Sequence, residues 1–276
     1  MITPFLLQNS RQLELLGDTH LPSALPKACV ILMHGFKGYK DYGFIPVLAH
    51  DLCRAGLLVH RFNFSTSGMT NDIETFARPD LFEFDTWNRQ VEDILCIVRA
   101  IRCGDLDGKD MPIFLIGHSR GGGSALLAAG RHGEEMNLAG VITINAVDRC
   151  CRMSQTEQDA MLDRGYSITQ SARTKQDLRI DSAWLSEQIE HPESHDVLLQ
   201  AQRIACPVCV LHGDSDQAVD PGAGSAIAQA CNTKPNLLNS GNHVLNMSNP
   251  SSFDCERSQQ LLEATGTITR FIAKHG

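Results

Sequence analysis

The sequence predicts an α/β protein: a mostly parallel β-sheet with helices on both faces and a small cap inserted into it. Three observations predict this. Apolar runs of strand length alternate along most of the chain with longer stretches of helical periodicity. Some of those runs are apolar throughout, as in Ala28-Cys29-Val30-Ile31-Leu32-Met33, which fits a strand covered on both faces. One polar segment, 148–204, breaks the rhythm. A chain of 276 residues could hold one large domain or two small ones. The alternation resumes after the break, so the expectation is a single domain over 1–276, with 148–204 as a cap or lid.

The elements follow in order. Residues 3–8 and 11–16 predict a short opening hairpin with turn chemistry at Asn9-Ser10. The run 28–33 is the first buried strand, followed by a loop from His34 to Tyr42 and a helix over about 44–55. The next strand is 57–64, and the Ser-, Gly-, Thr- and Asn-rich stretch from Ser65 to Asp80 is expected as loop. A long amphipathic helix over about 84–103 puts Val91, Ile94, Leu95, Val98 and Ile101 on one face. Residues 112–116 form a strand, 124–129 lie in a helix, and 141–147 form another strand. Beyond the interruption come a strand at 206–212, a helix over about 222–231, a short strand near 235–239 and a closing helix over about 257–273. The interrupting segment carries Met153, Met161, Tyr166 and Trp184 and has no buried-strand run. Met153, Met161 and Trp184 either line a pocket from the lid or anchor the lid to the body.

Composition narrows the function classes. A hydrophobic fraction of 42% and a charged fraction of 20% are ordinary for a soluble globular protein. A net charge of −8 argues against a general nucleic-acid or anionic-membrane surface. No apolar run approaches the roughly 18 residues needed to span a bilayer. The stretch from Met1 to Arg11 lacks the basic start and long apolar core of a secretory signal. Most of the ten cysteines lie in apolar runs, which suits free or structural thiols in a reducing compartment. Cys206-Pro207-Val208-Cys209 has redox-like spacing, but residues three apart on a strand face opposite ways. A cytoplasmic location is therefore expected.

Ser119 lies in Gly117-His118-Ser119-Arg120-Gly121, between a strand-like and a helix-like run. By composition alone a chain this long contains Gly-x-Ser-x-Gly by accident about one time in ten. The flanking strand and helix remove most such accidents, because a strained strand-to-helix turn exposes the hydroxyl above a sheet. A serine hydroxyl needs a base, most often an oriented histidine. His243, in Ser240-Gly241-Asn242-His243-Val244, falls in a loop after the last short strand and is the candidate. Two carboxylates, Asp214 and Asp216, follow the strand ending at His212-Gly213, and either could be a turn residue. In sheets of this kind, ligands bind beyond the carboxyl ends of the strands, where all these residues fall. The order Ser, Asp, His separates this chain from the chymotrypsin and subtilisin orders.

With these motifs in place, the chain resembles the α/β-hydrolase superfamily over nearly its whole length. His34-Gly35-Phe36-Lys37-Gly38 resembles the oxyanion loop, Gly117-His118-Ser119-Arg120-Gly121-Gly122 the nucleophile elbow, and Gly241-Asn242-His243 the histidine loop. His212-Gly213-x-x-Asp216-x-x-Val219 resembles the acid loop and selects Asp216 over Asp214. Arg61-Phe62-Asn63-Phe64-Ser65-x-Ser67-Gly68 and the short cap resemble the cinnamoyl/feruloyl-esterase-like and dienelactone-hydrolase-related branch. The nucleophile is Ser119 where true dienelactone hydrolases have Cys and haloalkane dehalogenases have Asp.

The resemblance implies a Ser119, Asp216, His243 triad, with the backbone N–H groups of Phe36 and Arg120 as oxyanion donors. It implies a serine hydrolase of carboxylic esters acting on a small-molecule ester, with no cofactor and no metal. Serine peptidase or thioesterase chemistry on the same site, or a non-catalytic binding protein, are the alternatives. His191-Pro192-Glu193-Ser194-His195 lacks the order of a helical zinc motif, and no Gly-Lys-Ser/Thr follows Gly121-Gly122-Gly123 to make a phosphate cradle. No nucleic acid or membrane partner is expected, and oligomeric state is not legible.

Overall fold

The computed structural model describes residues 1–276. β1 (Ile2–Gln8) and β2 (Glu14–His20) form the antiparallel opening hairpin, with Gln8 opposite Glu14. The second arm starts later than the sequence pattern suggested, because Asn9 closes a longer turn. Its backbone N–H donates to Leu13 O at 3.0 Å, and its side chain accepts from Arg11 N and Leu13 N. β3 (Cys29–Met33), α1 (Ile45–Arg54), β4 (Leu58–Phe62), the short α2 (Pro79–Phe82) and α3 (Trp87–Cys103) follow. Then come β5 (Ile113–His118), α4 (Arg120–Met136) and β6 (Gly140–Ile144).

After β6 the chain leaves the sheet. It forms α5 (Gln155–Arg164), the strands β7 (Tyr166–Gln170) and β8 (Asp177–Asp181), α6 (Ala183–Glu190), a 3-10 turn at Glu193–His195 and α7 (Val197–Gln202). It returns as β9 (Val208–Gly213), α8 (Pro221–Ala230), β10 (Pro235–Leu238) and α9 (Gln259–His275). The eight-stranded sheet has the order β1-β2-β4-β3-β5-β6-β9-β10. From β4 to β10 every pairing is parallel. No helix is long and apolar enough to cross a membrane.

The two faces of the sheet divide the core because strand side chains alternate. On β5, Ile113 and Leu115 join a cluster with Ile94 and Val98 of α3 and Leu126 of α4. Phe114 and Ile116 face the other way and pack with Leu48 of α1 and Leu261 and Ile268 of α9. β3, β4, β5 and β6 are buried at every residue, as strands covered on both faces are, although β4 encloses His60 and Arg61. α3 is bounded by a Thr86 side chain that accepts from Arg89 N and by Gly104 at φ +90°.

The 148–204 segment contains a two-stranded antiparallel hairpin, β7 with β8, separate from the main sheet. The sequence pattern showed no buried strand here, and these strands are indeed only half-buried, with Leu178 alone fully enclosed. The hairpin is pinned to the body. Lys37 Nζ donates to Gln170 O at 2.9 Å and Thr169 Oγ1 at 3.1 Å, and Arg179 pairs with Glu83 at 2.7 Å. Glu187 of α6 accepts from the N–H groups of Trp87 at 2.7 Å and Asn88 at 3.2 Å, closing the exposed start of α3. α7 rejoins the main core through Val197 and Ala201.

Candidate active site

Ser119 occupies the turn between β5 and α4, at φ +55° and ψ −122°. A non-glycine residue pays strain in such a conformation, so the surroundings must hold it. Its N–H donates to Ile144 O at 2.9 Å, and its carbonyl accepts from Gly122 N at 3.0 Å and Gly123 N at 3.2 Å. Two glycines allow the elbow to press against the loop after β3. A Cβ at Gly121 would lie 2.3 Å from His34 O, and one at Gly35 would lie 2.8 Å from Ser119 Cβ. That loop is held in turn by buried His34. Its Nδ1–H donates to Gly35 O at 2.8 Å and its Nε2 accepts from Phe64 N at 3.2 Å. Burial lowers the His34 pKa to about 4, so the neutral tautomer these two bonds require persists at neutral pH.

The structure brings Asp216, and not Asp214, to His243. Asp216 Oδ2 lies 2.7 Å from His243 Nδ1, while its Oδ1 accepts from Ala218 N at 2.8 Å and Val219 N at 3.0 Å. Burial alone would raise the Asp216 carboxyl. Hydrogen bonds from His212, His243 and the Val219 N–H outweigh it and hold the group below the ordinary carboxylate range. Buried His212 donates from Nε2 to Val219 O at 3.0 Å and faces Asp216 Oδ2 at 3.5 Å. Asp214 does turn work, accepting from Ser240 N at 2.7 Å. With Nδ1–H directed at a carboxylate, His243 presents an unprotonated Nε2, the tautomer a general base needs.

Two residues outside the expected triad position the histidine loop, His118 from within the elbow motif and Asn145 from no motif at all. The His243 carbonyl accepts from His118 Nε2 at 2.8 Å and from Asn145 Nδ2 at 2.9 Å. Asn145, at the end of β6, also accepts from Gly213 N at 2.7 Å and so ties the acid strand to the histidine loop. Burial lowers the His118 pKa to about 3, which keeps its ring neutral. The positive φ of Asn145, +50°, has no sequence signal beyond the tolerance of Asn for that region.

Ser119, Arg120, Phe36 and His243 line one cavity of about 530 Å³. Ser119 and His243 do not hydrogen-bond to one another, and a looser approach of this pair is common before substrate arrives. The N–H groups of Phe36 and Arg120 donate to no acceptor within the protein. Trp87, Val147, Cys150 and Trp184 give the cavity an apolar wall, and Arg149, Arg152 and Glu157 a polar one. Met153 and Trp184 therefore face the cavity, whereas Met161 is buried within the cap. His191 and His195 are not directed at a shared ion: His195 Nδ1 bonds to His191 O at 2.9 Å. All ten cysteines are free.

A family model described as serine aminopeptidase, S33 (Hydrolase_4), matches residues 24–150, from just before β3 to the start of the cap. No curated protein matches the chain. Among solved structures, Est1E from Butyrivibrio proteoclasticus with ferulic acid bound superposes with a TM-score of 0.73 at 18% identity, over 98% of each chain. The esterase domain of a Rhodothermus marinus protein gives 0.67 at 19% identity, over 100% of this chain and 99% of that one. A dienelactone hydrolase from Anabaena variabilis gives 0.64 at 14% identity, over 99% and 98%. At these identities the likeness is one of fold, and the fold is that of the α/β-hydrolases.

Proposed function

We propose, for a chain with the α/β-hydrolase fold, that it is a serine hydrolase that cleaves carboxylic esters through an acyl-enzyme. One observation carries the reading. His243, oriented by Asp216 at 2.7 Å, opens on the same cavity as a serine held on a strained turn. Ser119 Oγ attacks the ester carbonyl while His243 Nε2 takes its proton. The oxyanion that forms is held by the N–H groups of Phe36 and Arg120. Each such donor is worth about 3 kcal/mol in the transition state. His243 then protonates the leaving alkoxide, and a water, activated by the same imidazole, releases the acid. The apolar wall of Trp87 and Trp184 favours an apolar or aromatic acyl group over a charged one.

The test is turnover of short-chain p-nitrophenyl esters by wild type and Ser119→Ala. A loss of at least about 10⁴-fold in kcat is expected. A variant that keeps wild-type turnover removes Ser119 as nucleophile. The serine-aminopeptidase family model favours a second reading, amide hydrolysis at the same serine. Parallel assays with aminoacyl p-nitroanilides decide between them, since an enzyme that prefers anilides to matched esters is a peptidase.

A further inference from the structure

The first residue of the elbow helix carries a side chain that the catalytic steps do not use. Arg120 projects its guanidinium inward, with 7% of its side chain exposed, onto an Asp85 side chain that is 4% exposed. Its Nη1 lies 3.2 Å from Asp85 Oδ2, and its Nη2 donates to Asp85 O at 2.7 Å. The guanidinium lies 4.7 Å from the Trp87 ring centroid and 5.4 Å from that of Phe36. It is thus a charged wedge between two aromatic walls of the cavity. One of those walls belongs to the residue whose N–H is the other proposed oxyanion donor.

Asp85 is fixed more completely than an ion pair needs. Thr66 Oγ1 donates to its Oδ1 at 3.0 Å. Gln90 Nε2 donates to both of its oxygens, at 3.0 and 3.1 Å. The orientation of Gln90 is set in turn by Ser124 Oγ, which donates to Gln90 Oε1 at 2.6 Å. Ser124 stands one turn beyond Arg120 on α4, so the chain of contacts leaves the elbow helix at Arg120 and returns to it at Ser124. A buried ion pair adds little stability compared with an apolar replacement, but it fixes geometry. Phe36 lies in a loop without regular secondary structure, where His34 braces the backbone before it and the guanidinium packs on its ring.

We infer that Asp85 is a positioning residue of the oxyanion hole. It holds the Arg120 guanidinium between Phe36 and Trp87, and so sets the relative placement of the Phe36 and Arg120 N–H groups. This rests on the serine-hydrolase reading above. Asp85 touches no substrate; its effect passes through the stack.

The experiment compares wild type, Asp85→Asn, Phe36→Leu, their double variant, and the charge-free pair Asp85→Asn with Arg120→Gln. Steady-state kinetics on a p-nitrophenyl ester are read beside Tm and the inhibition constant of a trifluoromethyl ketone, which forms an oxyanion on the serine. Asp85→Asn is expected to lower kcat at least tenfold with KM within twofold, and to weaken the trifluoromethyl ketone by a similar factor. The pH profile should keep its shape, because His243 and Asp216 are untouched. Phe36→Leu and Asp85→Asn should be strongly non-additive, as expected for two changes to one stack. The charge-free pair, if it regains wild-type Tm, should still have a depressed kcat. Recovery of kcat together with Tm overturns the inference and makes Asp85 purely structural, as does strict additivity with Phe36→Leu. Ester turnover that survives Ser119→Ala overturns the serine-hydrolase reading itself, and is separable because Asp85 is intact in that variant.

Discussion

The His243 carbonyl accepts two hydrogen bonds, one from His118 and one from Asn145, and both donors are buried. His118 also sits beside the His243 ring, with centroids 4.8 Å apart. His118→Phe keeps an aromatic ring against Phe44 and His243 and removes one of the donors. The expected result is a loss of about tenfold in kcat, the equivalent of one ordinary hydrogen bond, with KM unchanged. Asn145→Ala should cost more, because the same side chain also holds Gly213 N. Kinetics of the two variants check this, and wild-type kcat in both would mean that the histidine loop holds itself. Ser119, Asp216 and His243 stand out in the sequence because each sits in a short local motif, and the structure brings Asp216 to His243. Asn145 and Asp85 do not stand out. Asn145 meets its partners across 68 to 98 residues, and Asp85 meets Arg120 across 35, distances over which a single sequence has no periodicity to reveal a contact.

Among the elements, those of the parallel sheet were legible and the cap hairpin was not. A strand buried on both faces leaves a continuous apolar run, as β3 does, whereas an antiparallel ribbon lying on a body leaves only alternation. Asp177-Leu178-Arg179-Ile180-Asp181 does alternate, and Leu178 and Ile180 share the inward face. With so little buried surface, β7 and β8 depend on tethers. Lys37 supplies two of them from the loop that carries Phe36. Lys37→Met removes both bonds and keeps most of the aliphatic stem. Amide hydrogen exchange at 166–181 should quicken severalfold while β3 and β5 keep their protection, since local opening follows local burial. Unchanged exchange in the hairpin would show that the tethers at Arg179, Gln176 and Asp181 suffice to hold it.

At the scale of the whole molecule, the residues that brace the site also set how stability responds to acid. Burial lowers His20 and His118 to about 3 and His34 to about 4, whereas an imidazole in the unfolded chain titrates near 6.5. Between those values the unfolded chain takes up three protons that the folded chain refuses, so stability falls as pH drops below about 6.5. Asp93 acts in the opposite sense. Burial raises it to about 7, so over the same window the folded chain keeps a proton that an unfolded carboxyl, near 3.9, has lost. His60 and His132 are lowered as well and add to the loss. Over His20, His34, His118 and Asp93 the balance is about two protons, or about 3 kcal/mol lost between pH 7 and pH 5. That is a large part of a typical folding stability of about 5–15 kcal/mol. Urea unfolding at the two pH values should give a lower midpoint at pH 5 with the same slope in urea. In His118→Phe the loss should shrink, because one of the three histidine protons is gone. A midpoint that holds steady or rises from pH 7 to pH 5 would mean that these histidines become protonated without unfolding, and that the neutral tautomers bracing the loop and the elbow are not obligatory.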